Sequence, residues 1–194
     1  MEHHPLTPFL PSGARLLMLG SFPPQRKRWS MDFYYPNFNN DMWRIMGLIF
    51  FGDKEHFVDA GRKTFRQTEL EAFLTRQGIA LYDTATVVRR LNDNASDKFL
   101  EVVEPTDVGA LLRNLPACNN IAVTGQKACD TLCAFFHLDE PGVGDYTSFV
   151  FEDREIRLYR MPSSSRAYPL KLEKKAAVYG GMMKNIWGNA CYFK

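Results

Sequence analysis

The chain has 194 residues, 45% of them hydrophobic and 24% charged, with a formal net charge of +2. That length suits one domain with its own core, residues 1–194, and the balance excludes a disordered or highly charged chain. Near-neutral charge leaves a nucleic-acid partner open, because one local basic patch is enough at this size.

Residues 1–14 read as an extended lead-in, since Pro5, Pro8 and Pro11 interrupt the start and leave no secretory apolar run. A strand follows over 15–20. It breaks at Gly20-Ser21-Phe22-Pro23, passes three basic residues (Arg26, Lys27, Arg28), and reaches an aromatic and amide-rich run from Tyr34 to Asn40. Asp41 is expected to cap a helix over 42–51 that Gly52 stops. Leu70, Phe73 and Leu74 mark a second helix over 68–77 with Gly78 just beyond it. Ile79 to Tyr82 is the next strand, closed by Asp83-Thr84. The polar stretch 89–98, with Arg89 and Arg90, reads as a surface loop. Thr106 is expected to cap a helix with a stripe of Val108, Leu111, Leu112 and Leu115. Asn120 to Thr124 is a strand, and Gly125 opens a helix to about Phe136. A hairpin is expected over 147–159 around Glu152-Asp153-Arg154. The last helix spans about 170–187, with Leu172, Ala176, Tyr179, Met183 and Ile186 in register.

Strands alternating with helices predict an α/β sandwich around a mostly parallel sheet, and ligands of such folds sit beyond the carboxyl ends of the strands. Four segments end a strand there: Gly20-Ser21-Phe22-Pro23, Tyr82-Asp83-Thr84, Thr124-Gly125-Gln126-Lys127 and Met161-Pro162-Ser163-Ser164-Ser165. The motifs on and beside these segments have two readings. The first is either a set of backbone donors for a base carbonyl or an ordinary turn. Asn39-Asn40-Asp41 either reads a base edge and orients water or caps a helix. Tyr34, Tyr35 and Phe38 are stacking surfaces or loop packing. The Ser-rich turn grips a phosphate or caps the last helix. Lys127 and the clusters at 26–28 and 89–90 either flank a phosphate path or are solvated. The four cysteines (Cys118, Cys129, Cys133, Cys191) lack Cys-x-x-Cys spacing, and Cys129 and Cys133 read as buried thiols on one helix face. His3, His4, His56 and His137 lack ligand spacing, and none lies in a rim motif. No apolar run is long enough to span a bilayer. The expectation is a monomeric cytoplasmic protein without a membrane contact.

Taken in order, these motifs resemble the uracil-DNA glycosylase superfamily, and within it the family six, hypoxanthine-DNA glycosylase branch. A strand ending Gly-Ser-x-Pro-Gly followed by Tyr-Tyr-Ala-His-Pro-Arg-Asn-x-Phe-Trp is matched by Gly20 to Pro24 and by Tyr34 to Trp43. Gly-Ile-Ala-Leu-Trp-Asp is similar to Gly78 to Asp83, Gly-x-Lys-Ala to Gly125 to Ala128, and Leu-Pro-Ser-Thr-Ser-Pro-Ala to Met161 to Ala167. The resemblance implies a three-layer α/β/α sandwich around a short, mostly parallel four-stranded sheet. It also implies excision of a deaminated base, uracil or hypoxanthine, from DNA after the base leaves the stack, with no metal or redox cofactor. By the resemblance, Asn40 is the catalytic asparagine. Gly20, Ser21, Phe22, Pro23, Tyr35, Met42 and Asp83 surround the base, with Ser21 and Phe22 acting through their backbone. Ser163, Ser164 and Ser165 grip the DNA strand together with Lys127, and Arg166 or Tyr168 fills the gap left in the duplex.

The departures are specific. Phe22 stands where many members carry a water-activating Asp or Asn. Met161 stands where strong uracil enzymes carry His, Met42 replaces a stacking Phe, and Pro24 replaces a glycine. A water-orienting group contributes about 10²–10⁴-fold, so a slow enzyme is expected. The alternatives are a non-catalytic DNA-binding homologue or a nucleoside or nucleotide N-glycosidase.

Overall fold

The computed structural model describes residues 1–91 and 99–188. A five-stranded sheet runs through its centre in the order β5 (Ile79–Asp83), β2 (Leu16–Gly20), β8 (Asn120–Thr124), β10 (Arg154–Met161), β9 (Tyr146–Phe151). The first four strands are parallel, and β9 runs antiparallel to β10 at the edge. The expectation of four strands is thereby corrected: the 147–159 hairpin is part of the main sheet, because β10 pairs with β8 on its other side.

Every residue of β2 and β5 is buried. Their sequences, LLMLG and IALYD, lack polar alternation, as parallel strands covered on both faces require. Helix α1 (Met42–Phe51) packs on α5 (Leu172–Trp187), α2 (Gln67–Gln77) on β5, and α4 (Gln126–Phe136) on β8. α1 and α2 both end on a left-handed glycine, Gly52 and Gly78, as the sequence predicts. Between these two helices, β3 (Val58–Asp59) and β4 (Thr64–Phe65) form a short antiparallel pair.

Three further expectations change. The lead-in is not merely extended: β1 (Glu2–His3) pairs with β6 (Ala85–Arg90), which pairs with β7 (Leu100–Pro105), making a second, three-stranded antiparallel sheet. Arg89 and Arg90 are therefore strand residues, while 92–98 lie outside the described residues. Thr106 does not cap α3 (Val108–Asn114). Asp107 does, its Oδ1 accepting from Ala110 N at 2.9 Å, while the Thr106 hydroxyl donates to Asp83 O at 2.7 Å. Nor does the Asp41 side chain cap α1. Asn40 Oδ1 accepts from Met42 N at 2.9 Å instead, and Asp41 is engaged elsewhere.

The register decides where the strand ends fall. Gly20 lies beside Asp83, Leu19 beside Val123, and Thr124 beside Met161. All four parallel strands therefore deliver their carboxyl-end loops to one rim. No helix among the described residues is long and apolar enough to cross a membrane.

Candidate functional site

One half of the rim is closed by aromatic rings. A side chain at Gly20 would overlap Asp83 Oδ1 and approach the Tyr35 hydroxyl at 3.7 Å, so any larger residue requires Asp83 to move. The Tyr35 hydroxyl lies 3.1 Å from Thr124 Oγ1, which joins the loop after β2 to the end of β8. Tyr35 achieves this with a left-handed backbone, φ 49°. For a non-glycine residue that conformation costs on the order of 1–3 kcal/mol and persists only where the surroundings enforce it. Burial raises the Tyr35 phenol above its ordinary pKa, and the Asp83 charge raises it further; the same two causes act on Tyr34 and Tyr82.

His4 completes this half. Its Nε2 donates to Asp83 Oδ2 at 2.8 Å with both side chains nearly sealed from solvent. Nδ1 lies 2.9 Å from Leu6 O and 3.2 Å from Leu6 N, so the ring has a partner on that side in either protonation state. The imidazole sits 4.5 Å from the Tyr82 ring and edge-on to Phe22 at 5.2 Å. His4 lies in none of the four rim motifs, yet it reaches the rim through Asp83. Nothing local could have shown it, because the pairing of β1 with β6 carries His4 to Asp83.

Ser21, Phe22 and Pro23 are buried where β2 ends. The Phe22 ring packs with Ala85, Val88 and Leu100 on the second sheet. Pro23 O accepts from Arg90 Nη2 at 2.6 Å and Pro24 O from Trp29 Nε1 at 2.7 Å, which fixes the loop. Arg90 is also held by Glu2, Arg89 by Glu101 and Arg26 by Asp32. Three members of the two basic clusters therefore have carboxylate partners.

The other half is polar. Asn40 is half-buried: its N–H donates to Asn37 O at 2.8 Å and its side-chain oxygen caps α1. The Met42 N–H identifies that side-chain atom as the acceptor, so Nδ2 points away from the helix. Among the described residues no group bonds to Nδ2. Asp41 N donates to Ser164 O at 2.9 Å, and Asp41 Oδ2 accepts from Lys175 Nζ at 3.0 Å. The same ammonium donates to Ser165 O at 2.7 Å, and the Tyr179 hydroxyl donates to Pro162 O at 2.7 Å. Helix α5 thus clamps the Ser-rich turn from beneath and ties it to the residue after Asn40. Lys175 is fully buried, and a buried ammonium is tolerable only when paired and hydrogen-bonded as here. Its position in the stripe of Leu172, Ala176 and Tyr179 is the sequence signal that could have revealed it.

In the turn, Ser163 Oγ accepts from Ser165 N at 3.1 Å and Ser165 Oγ accepts from Ala167 N at 3.3 Å, leaving both hydroxyl protons able to donate. Ser163 also packs over Gly125 at the start of α4. Ser165 is exposed and Ser164 buried, so within the turn the outward surface comes from Ser165, Arg166 and Ala167. Tyr168 and Lys127 are half-buried beside it. Met42, expected to cover a base, has no exposed surface and belongs to the core beneath the Asn40 loop. Met161 is likewise buried. A cleft of about 400 Å³ opens on the Asp41 side of the loop, between Arg44 and Arg166, not on the Gly20 side.

The sequence matches no protein-family model and no curated protein. A solved structure does match: the solution NMR structure of a Methanosarcina acetivorans protein assigned provisionally as a uracil DNA glycosylase. The two are 21% identical and superpose with a TM-score of 0.58 over 92% of this chain and 96% of that one. The chain therefore shares the fold of that protein, a mixed α/β domain around a mostly parallel sheet.

Proposed function

We propose that the protein is a DNA glycosylase that hydrolyses the N-glycosidic bond of a deaminated base, uracil or hypoxanthine. The observation that carries this reading is the placement of Asn40. Its carboxamide oxygen caps α1 and its Nδ2 bonds to no described residue, on a loop tied by Asp41 to the Ser-rich turn, at the carboxyl-end rim of a fold shared with the Methanosarcina acetivorans protein.

In this reading the base leaves the stack and enters the rim. The bond from C1′ to the base nitrogen breaks with its electron pair going to the base, leaving a sugar cation that water captures. Asn40 orients that water through its amide, or binds the base edge. Ser21 and Phe22 contribute through their backbone, as the buried side chains at this position require. Asp83, held by His4, places a carboxylate against Gly20, where negative charge favours the cationic sugar. Ser163, Ser165 and Lys127 face the strand, and Arg166 or Tyr168 enters the gap in the duplex.

A second reading has a specific observation behind it. The Phe22 ring is packed into the second sheet and Met161 is buried, so neither position supplies a polar group to the reaction. A DNA-binding homologue without catalysis fits that feature.

Single-lesion duplexes carrying uracil, hypoxanthine or xanthine separate the two. The glycosylase reading expects alkali-labile cleavage at one lesion and near-loss of it with Asn40→Ala. Intact duplexes throughout, with binding that weakens as salt rises, would favour the second.

A further inference from the structure

We infer that the cleft behind the Asn40 loop is a phosphate-binding subsite. Resting on the reading above, with Tyr168 and not Arg166 in the duplex gap, we take its occupant to be a phosphodiester of the DNA strand beside the extruded nucleotide. Four cations from separate parts of the chain line the cleft: Arg44 from α1, Lys54 from the turn after it, Arg166 from the Ser-rich turn and Lys171 at the cap of α5. Two carboxylates face them, Asp41 and Glu55. Asp41 is already matched to the buried Lys175, so the cleft carries an excess of positive charge.

The two arginines differ in how tightly they are held. Arg44 is buried, with Phe38 and Phe65 against its guanidinium, and Nη1 donates to Phe38 O at 2.8 Å and Asn40 O at 3.2 Å. Arg166 is 54% exposed, and its interactions are long: 3.5 Å to Asp41 Oδ1 and 3.4 Å to Asn39 Oδ1. Burial lowers the Arg44 pKa, and the neighbouring Arg166 charge lowers it further. An oxyanion between the two guanidiniums would relieve that repulsion and give Arg166 a bidentate partner of the geometry guanidinium favours. The uncapped first turn of α5 borders the same cleft through Lys171 and Leu172, with Glu173 in that turn. Because Arg44 also holds Asn40 O, a phosphate seated here would steady the residue placed at the reaction.

The test compares wild type, Lys54→Ala/Lys171→Ala and Arg113→Ala. Lys54 and Lys171 are exposed, so their removal leaves the core intact. Arg113 lies near the end of α3, on the opposite rim of the sheet. Affinity for a short duplex is measured against sodium chloride concentration, and the Arg44 and Arg166 Nε resonances are followed on adding inorganic phosphate or deoxyribose 5-phosphate. The expected result is a salt slope smaller by roughly 0.9 for each phosphate that is no longer neutralised, in the double variant alone, with phosphate shifting both resonances in wild type. An unchanged slope with excision intact overturns the subsite and leaves the glycosylase reading standing. A reduced slope without excision of any lesion does the reverse. Phosphate shifts in a protein that binds no duplex would keep the subsite, assign it to a free nucleotide, and end the DNA reading. No phosphate shift and no slope change overturns the subsite outright.

Discussion

The two halves of the rim are held by opposite means. Around Gly20 and Asp83 the parts fit by shape: Tyr34, Tyr82 and Phe22 enclose His4, and a single hydrogen atom at Gly20 is all that the Asp83 carboxylate leaves room for. Around Asn40 and the Ser-rich turn the parts are joined by charge and by backbone hydrogen bonds, with Lys175 as the shared donor. The first half tolerates little change in volume. The second tolerates volume but not the loss of one charge. This difference can be broken at each side, and the effects should rank accordingly.

The largest effect is expected at Lys175. Lys175→Met keeps the volume but leaves the buried Asp41 with only the long contact to Arg166, which should lower unfolding free energy by up to about 3–5 kcal/mol. Adding Asp41→Asn should recover part of that loss; urea titration of the three variants checks it. Excision should fall in Lys175→Met even where the protein is folded, because the link from Asp41 to the turn is gone.

On the other half, His4→Ala removes the donor to Asp83 and leaves a sealed carboxylate unsatisfied, at a cost of about 1.5–3 kcal/mol. His4→Gln, which can still donate, should lose less. Equal losses in the two would show that ring packing, and not the hydrogen bond, is what His4 supplies. The smallest of the three changes is Gly20→Ala. The added methyl must displace Asp83, with a cost of about 1–3 kcal/mol from overpacking. Since His4 restrains Asp83, the penalty should shrink in a His4→Ala background. Additive losses would place Gly20 and His4 in separate networks.

What is legible in the sequence follows the same division between local and distant causes. Helix α1 and strand β8 are readable to the residue, because Gly52, the apolar run of α1 and the strand-to-Gly125 break are local signals. The rim is legible as well, since parallel strands put their carboxyl ends together whatever their order. The β1–β6–β7 sheet is not: β1 is two residues long, and its partner lies far along the chain. A two-residue strand leaves no periodicity to read, and register shifts between Ala85 and Val88 break the alternation of β6. The Asn40 loop illustrates a different limit. Asn40 and Asp41 are adjacent and both suit a helix cap, and distant groups, Lys175 with Arg166 and Ser164, hold Asp41 away while Asn40 caps. The motif position of Met42 suggests a surface for the base, but the first turn of α1 points it into the core.

The pairing of His4 with Asp83 spans 79 positions of chain. As the protein emerges from the ribosome, β1 has no strand to pair with and His4 no carboxylate to bond until β5 and β6 have been made. Both must wait for them, and closing so long a segment is among the slower steps available to a domain of this size. The pairing of His4 with Asp83 is therefore expected to close only after helices α1 and α2 have been made, and a fusion partner placed ahead of Met1 would encumber that step.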